Sequence, residues 1–127
     1  MRTTVVETKT ILTVDDSRTI RDMLRMTLAD NGYRVVQAAD GVEGLEALQS
    51  ETPDAIITDI NMPRLDGFGF IEQVRGDSRF RATPILVLTT ESDPTMKDRA
   101  RAAGATGWIV KPFNPEKLTA SLRRVGV

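Results

Sequence analysis

The 127-residue chain carries 40% hydrophobic and 28% charged side chains and a formal net charge of −1, the balance of one globular domain with no overall drive toward nucleic acid or an anionic membrane. It contains neither cysteine nor histidine, which excludes disulfides, thiol nucleophiles, Ser-His-Asp chemistry and imidazole-bound zinc. Any catalysis must rest on carboxylates, hydroxyls, amines and a hard cation.

Met1–Lys9 mixes threonines and charges around Val5-Val6 and reads as a short N-terminal extension, not a signal peptide. No stretch approaches the roughly 20 apolar residues of a membrane helix, so cytoplasmic residence is the default expectation. Ile11–Val14 predicts a strand. Ser17 is the N-cap of a first helix, with Ile20, Met23, Leu24 and Leu28 on one face and Asn31-Gly32 as its stop. RVVQA at 34–38 is the faintest strand signal. Asp40-Gly41-Val42-Glu43 has the form of a capping box, followed by Val42, Leu45 and Leu48 as an inward stripe.

Pro53-Asp54 is a break before Ala55–Thr58, an uninterrupted apolar run that suits a strand covered on both faces. Pro63 and the turn pair Asp66-Gly67 mark a loop, and Phe68, Ile71 and Val74 a short helix. Ile85–Leu88 predicts a fourth strand. Asp93-Pro94 opens a helix that ends near Gly104, and its thin apolar content of Met96 and alanines predicts loose packing. Trp108–Val110 is the last strand. Asn114-Pro115 opens the last helix, with Leu118, Leu122 and Val125 facing inward. Strands alternating with helices predict an α/β fold, a parallel sheet with helices on both faces, whose ligands sit at the strands' carboxyl ends.

Four of the apolar runs end on polar residues: Asp15-Asp16, Asp59, Thr89-Thr90 and Lys111-Pro112. Alone, each has a plainer reading. Asp15-Asp16 suits a helix cap with a solvated neighbour, Asp59 a turn, Thr89 an ordinary strand end, and Lys111 a snorkelling lysine. Side by side they form a crevice of three carboxylates, a hydroxyl and an ammonium. Carboxylates so close repel unless a cation compensates, and hard oxygen ligands select Mg2+ or a similar ion. An Asp in such a site can take a phosphoryl group as an acyl phosphate. Metal and lysine supply positioning and counter-charge.

The segments VDDSRTIR, ITDINMPRLDGF, VLTTES and GATGWIVKPF resemble the signature blocks of response-regulator receiver domains, in order and over essentially the whole chain. The length and short loops are most similar to the chemotaxis regulators of the CheY type. The resemblance implies a doubly wound five-stranded sheet in the order 2-1-3-4-5 with five helices, flavodoxin-like, and a single receiver domain over 1–127. It further implies that Asp59 is the phospho-acceptor, and that Asp16, Asp59 and the Asn61 main-chain carbonyl ligate Mg2+ while Asp15 acts partly through water. Lys111 is expected to bridge to the phosphoryl group, before a cis bond to Pro112. Thr89 is expected to hydrogen-bond the phosphoryl group, with Trp108 at the family's switch-aromatic position and Asn61 and Glu91 tuning dephosphorylation. The readout surface is expected on the fourth helix, last strand and last helix, where Lys97, Arg99, Arg101, Lys117, Arg123 and Arg124 read plainly as a solvated helix face and, more sharply, as a docking face for an acidic or amphipathic partner.

The function implied is a phosphorylation switch that takes phosphate from a histidine kinase and catalyses its own phosphorylation and dephosphorylation without being a turnover enzyme. Its expected target is a flagellar motor switch protein, with a phosphatase as a further partner, no nucleic acid or membrane contact, and a monomeric state. The alternative is a phosphate sink that drains the kinase without binding the motor. Two other readings fail. An aspartate-nucleophile phosphatase would pair Asp59 with a second Asp two residues on, where Asn61 stands. A flavodoxin-like cofactor protein would need a phosphate-cradling loop where Asp15-Asp16 repel.

Overall fold

The computed structural model describes residues 8–127, so most of the expected N-terminal extension lies outside the described residues. Five strands form one parallel sheet in the order β2-β1-β3-β4-β5, the order the resemblance implies. They are β1 (Thr10–Val14), β2 (Arg34–Ala38), β3 (Ala55–Thr58), β4 (Ile85–Thr89) and β5 (Gly107–Val110). The helices are α1 (Arg18–Asp30), α2 (Gly41–Ala47), α3 (Gly67–Gly76), α4 (Pro94–Ala103) and α5 (Pro115–Arg124), with a 3-10 turn at Ser78–Phe80. Among the described residues no helix is long and apolar enough to cross a membrane.

Alternation along the central strands divides the core into two layers. Leu12, Val14, Ile56, Ile85 and Val87 pack with Phe68, Phe70, Ile71 and Val74 of α3 and with Ala100 of α4. Ile11, Ala55, Ile57, Leu86 and Leu88 pack on the opposite face with Leu24 and Leu28 of α1 and Leu118 and Leu122 of α5. Thr13 shares this second face by alternation. Its hydroxyl is buried and has no hydrogen-bond partner among the described residues.

Local chemistry sets the helix boundaries. Ser17, Asp40, Asp66, Asp93 and Asn114 each accept a hydrogen bond from a first-turn N–H of the helix they precede. The capping box forms with its return bond one residue early: Glu43 N–H donates to Asp40 Oδ1, and Glu43 Oε1 accepts from the N–H of Ala39, the residue before the N-cap. Two expected stripes are corrected. Met23 is 45% exposed, because Leu24 and Leu28 alone turn fully onto the sheet. In α2 the buried positions are Gly41 and Gly44, with Val42 and Leu45 at the margin. Leu48, at the C-cap, is buried as expected.

Helix α4 buries only Ala100 fully, in line with its thin apolar content. Two arginines hold it instead. Arg75 of α3 donates to the Gly104 carbonyl at 3.0 Å and to the Phe80 carbonyl at 2.6 Å, capping the helix's last turn. Arg99 lies over the Phe68 ring at 4.0 Å. Arg99 thus leans on α3 while remaining exposed.

Candidate functional site

The sheet ladder carries each polar residue into place. Val14 pairs with Thr58, so Asp15 and Asp59 leave the sheet side by side. The Asp59 N–H donates to the Val14 carbonyl at 2.9 Å and the Asp15 N–H to the Ala38 carbonyl at 3.1 Å. Thr89 pairs with Val110, and the Lys111 N–H donates to the Thr89 carbonyl at 2.7 Å. Lys111 precedes Pro112 through a cis bond, the isomer that the resemblance implies. Gly67 N–H donates to the Ile60 carbonyl at 2.8 Å. A Cβ on Gly67 would collide with the Asp59 carbonyl oxygen, so the chain can double back behind Asp59 only with glycine there.

One oxygen from each of Asp15, Asp16 and Asp59 lies within 4.8 Å of the other two. Asp15 and Asp59 are buried, and Asp16 is exposed at the mouth. Lys111 Nζ donates to Asp15 Oδ2 at 2.8 Å and to Asp59 Oδ2 at 2.9 Å. The other oxygens are also engaged: Asp15 Oδ1 accepts from Ser17 N–H at 2.9 Å, and Asp59 Oδ1 from Ile60 N–H at 2.7 Å. Burial pushes the Asp15 carboxyl above its ordinary range, against the pull of Lys111 and the Ser17 N–H. Burial also opposes the charge on Lys111, but hydrogen bonds to Asp15 and Asp59 outweigh it and raise its pKa.

Three carboxylates against one ammonium leave the cluster short of positive charge. The donors are hard oxygens with no sulfur or imidazole, and Asp16 faces outward where a hydrated ion would approach. This donor set fits Mg2+, which takes one or two carboxylates directly and keeps several waters.

The structure thus brings Asp15, Asp16, Asp59 and Lys111 together. It links the remaining expected residues through Glu91. Glu91 N–H donates to the Thr89 hydroxyl at 3.3 Å, and the Glu91 carbonyl accepts from the Trp108 indole N–H at 3.1 Å. Asn61 Nδ2 reaches Glu91 Oε1 at 3.4 Å. Glu91 was expected beside the site through its side chain. Its main-chain link to Trp108 was missed, and nothing in local sequence marks a backbone carbonyl as an indole's partner.

The response regulator receiver domain matches residues 11–123. The chain belongs to that family. Among relatives, this receiver domain is 45% identical over 115 residues to the response regulator MprA of Mycobacterium ulcerans, covering 89% of this chain and 48% of that protein. It thus spans about half the length of the curated relatives it matches. The chemotaxis response regulator CheY4 of Vibrio cholerae is 51% identical with a TM-score of 0.89, covering 94% of this chain and 99% of that one. The receiver domain of the sensor histidine kinase PA1611 of Pseudomonas aeruginosa, which holds a magnesium ion in its active-site cleft, is 29% identical with a TM-score of 0.87, covering 95% of this chain and 100% of that one. In this chain the cluster of Asp15, Asp16 and Asp59 offers three carboxylate oxygens that could hold such an ion. The family is the phosphate-receiving half of two-component signalling, with a histidine kinase as phosphodonor and a downstream partner.

Proposed function

We propose that this receiver domain is a phosphorylation switch of a chemotaxis pathway, with Asp59 as the acceptor and Mg2+ as its cofactor. The observation that carries the reading is the buried Asp59 carboxylate, paired with Lys111 at 2.9 Å inside the aspartate cluster. An Asp59 oxygen bonds to the phosphorus of a phosphohistidine on the kinase. The P–N bond breaks, its electron pair stays on the imidazole nitrogen, and that nitrogen then takes a proton. Mg2+ supplies charge neutralisation for the transferred group. Asp15, Asp16, Asp59 and the Asn61 main-chain carbonyl would hold the ion, and Lys111 turns from the free carboxylate to a phosphoryl oxygen. Thr89 donates its hydroxyl to the same group, and Trp108 follows the loop that Thr89 moves. The protein acts as a switch rather than a turnover enzyme.

Likeness to the V. cholerae chemotaxis protein supports the chemotaxis setting. The output face is α4, β5 and α5, where Lys97 and Arg101 border a groove walled by Trp108. A flagellar motor switch protein is the proposed occupant and the cytoplasm the proposed setting. Mass measurement after incubation with Mg2+ and acetyl phosphate tests the chemistry. Wild type should gain one phosphoryl group and Asp59→Asn none; no gain on wild type, or the same gain on Asp59→Asn, overturns the assignment. Pull-down of the motor protein with each form tests the output. Phosphorylation without motor binding would make the protein a phosphate sink.

A further inference from the structure

The loop from Asp59 to α3 contains the one non-glycine residue with positive φ among the described residues, Arg64 at 66°. A left-handed conformation at a side-chain-bearing residue persists only where its surroundings impose it. The surroundings here are specific. Arg64 Nε donates to Asp40 Oδ2 at 2.7 Å and Nη2 to Oδ1 at 3.1 Å, a planar fork on a planar carboxylate. Nη2 also stands 3.7 Å from Glu43 Oε2. The Asp40 side chain is only 7% exposed, and as N-cap of α2 it accepts the Glu43 N–H as well.

A second tie runs beside the first. Gly41 N–H donates to the Leu65 carbonyl at 3.2 Å, and a Cβ on Gly41 would stand 2.6 Å from that oxygen. The loop is therefore anchored to α2 in its middle and to Ile60 through Gly67 at its end. Asn61 lies between these anchors and Asp59. Arg34 and Glu51 form a similar fork at 2.9 and 3.0 Å, but it ties the start of β2 to the segment before β3, at the other end of the sheet.

We propose that Arg64 is a positioning residue for the phosphoryl-acceptor site: its fork to Asp40 holds the Asn61–Leu65 loop in the shape that lets the main chain at Asn61 complete the cation's oxygen ligands. The inference rests on the switch reading above. Arg64 touches neither the carboxylates nor the transferred group and acts through the backbone. Residues that orient metal ligands in this way typically carry about 10- to 100-fold in metal affinity.

Two variants isolate the fork. Arg64→Gly keeps the left-handed φ available and deletes only the side chain. Asp40→Asn keeps a good N-cap and deletes the charge. Mg2+ titration followed by amide NMR shifts should give a dissociation constant raised roughly tenfold in each variant, with Arg64→Lys between them and wild type because lysine carries charge without the fork. Phosphorylation by acetyl phosphate should slow at low Mg2+ and recover at saturation. Arg34→Ala, which removes the remote fork, should leave Mg2+ affinity unchanged. Charge alone predicts the opposite sign for Arg64→Gly, since removing a cation near the pocket favours Mg2+. Affinity for Mg2+ equal to or tighter than wild type in Arg64→Gly, with wild type itself binding Mg2+ and gaining phosphate, overturns the positioning role. Wild type that does neither overturns the switch reading instead.

Discussion

The indole N–H of Trp108 donates to the main-chain carbonyl of Glu91 at 3.1 Å, while the Glu91 N–H donates to the Thr89 hydroxyl at 3.3 Å. A single residue of the β4–α4 loop thus touches both the strand end inside the site and the aromatic side chain on the proposed output face. If Thr89 turns to donate its hydroxyl to a phosphoryl oxygen, Glu91 and then Trp108 feel the change. Trp108 is the chain's one tryptophan, so tryptophan emission reports on the surroundings of this side chain. Beryllofluoride with Mg2+ should change the emission of wild type. Thr89→Val should bind the analogue and respond much less. Equal responses in the two proteins would show that the signal reaches Trp108 by another route. Trp108→Phe removes the N–H donor and should cost about 1 kcal/mol in urea unfolding.

Lys111 is the only cation bonded to the carboxylates of the buried Asp15 and Asp59 among the described residues. Its side chain is 10% exposed, with 2% and 10% for its partners, so removing it strands two carboxylates in a poorly hydrated site. Lys111→Met should lose roughly 3 kcal/mol of stability at neutral pH, and Mg2+ should restore part of it by replacing the lost charge. The raised Lys111 pKa means its contribution is fully present below 10.5 and lost as pH rises through the folded value. Urea titrations with EDTA and with Mg2+ measure both effects. A variant as stable as wild type in EDTA would refute the counter-charge role.

Asp15 carries the opposite sign. Its carboxyl is raised above 3.8, chiefly by burial, so the folded protein holds that proton more tightly than the unfolded chain does. The corresponding stability is fully present below 3.8 and is lost as pH rises through the folded value. At neutral pH without divalent cations the ionised group therefore weighs against folding. Asp15→Asn cannot ionise and keeps an acceptor for the Ser17 N–H. It should melt above wild type at pH ~7, with the gap closing on acidification. A gap that widens as pH falls would contradict the assigned cause.

Thr13 offers a test with no chemistry attached. A buried hydroxyl without a partner costs about 1–3 kcal/mol against an apolar group of similar shape. Thr13→Val should therefore raise the urea midpoint by the equivalent of about 1 kcal/mol, with an unchanged slope. Phosphorylation should be unaffected. A lower midpoint would mean that the hydroxyl is satisfied in solution.

The features legible in the sequence are those that local patterns encode. Apolar runs ending on Asp15, Asp59, Thr89 and Lys111 follow from strands that stop where the sheet meets solvent. Caps at Ser17, Asp40, Asp93 and Asn114 follow from side chains that compete for first-turn N–H groups. Met23 misled because a helical stripe is broader than the sheet surface it covers, so its edge residue stays in water. Gly44 was overlooked because an apolar stripe is sought in large side chains. Arg64 with Asp40, 24 residues apart, and Arg75 with Gly104, 29 residues apart, left no trace in periodicity. Such pairs exist only once the chain has closed on itself, and a charged residue looks solvated until its partner is known.

The ladder bonds that extend past the strands, from Asp59 to Val14, from Asp15 to Ala38 and from Lys111 to Thr89, mean that the reactive groups are indexed by main-chain count. One residue inserted or removed within β1 or β3 would swing every later side chain of that strand to the other face, and the carboxylates would point away from Lys111. The helices carry no such index: their outward faces can be rewritten, and the segments at the opposite end of the sheet lengthened, without moving an atom of the reaction. A scaffold built this way can change whom it addresses while what it says stays the same.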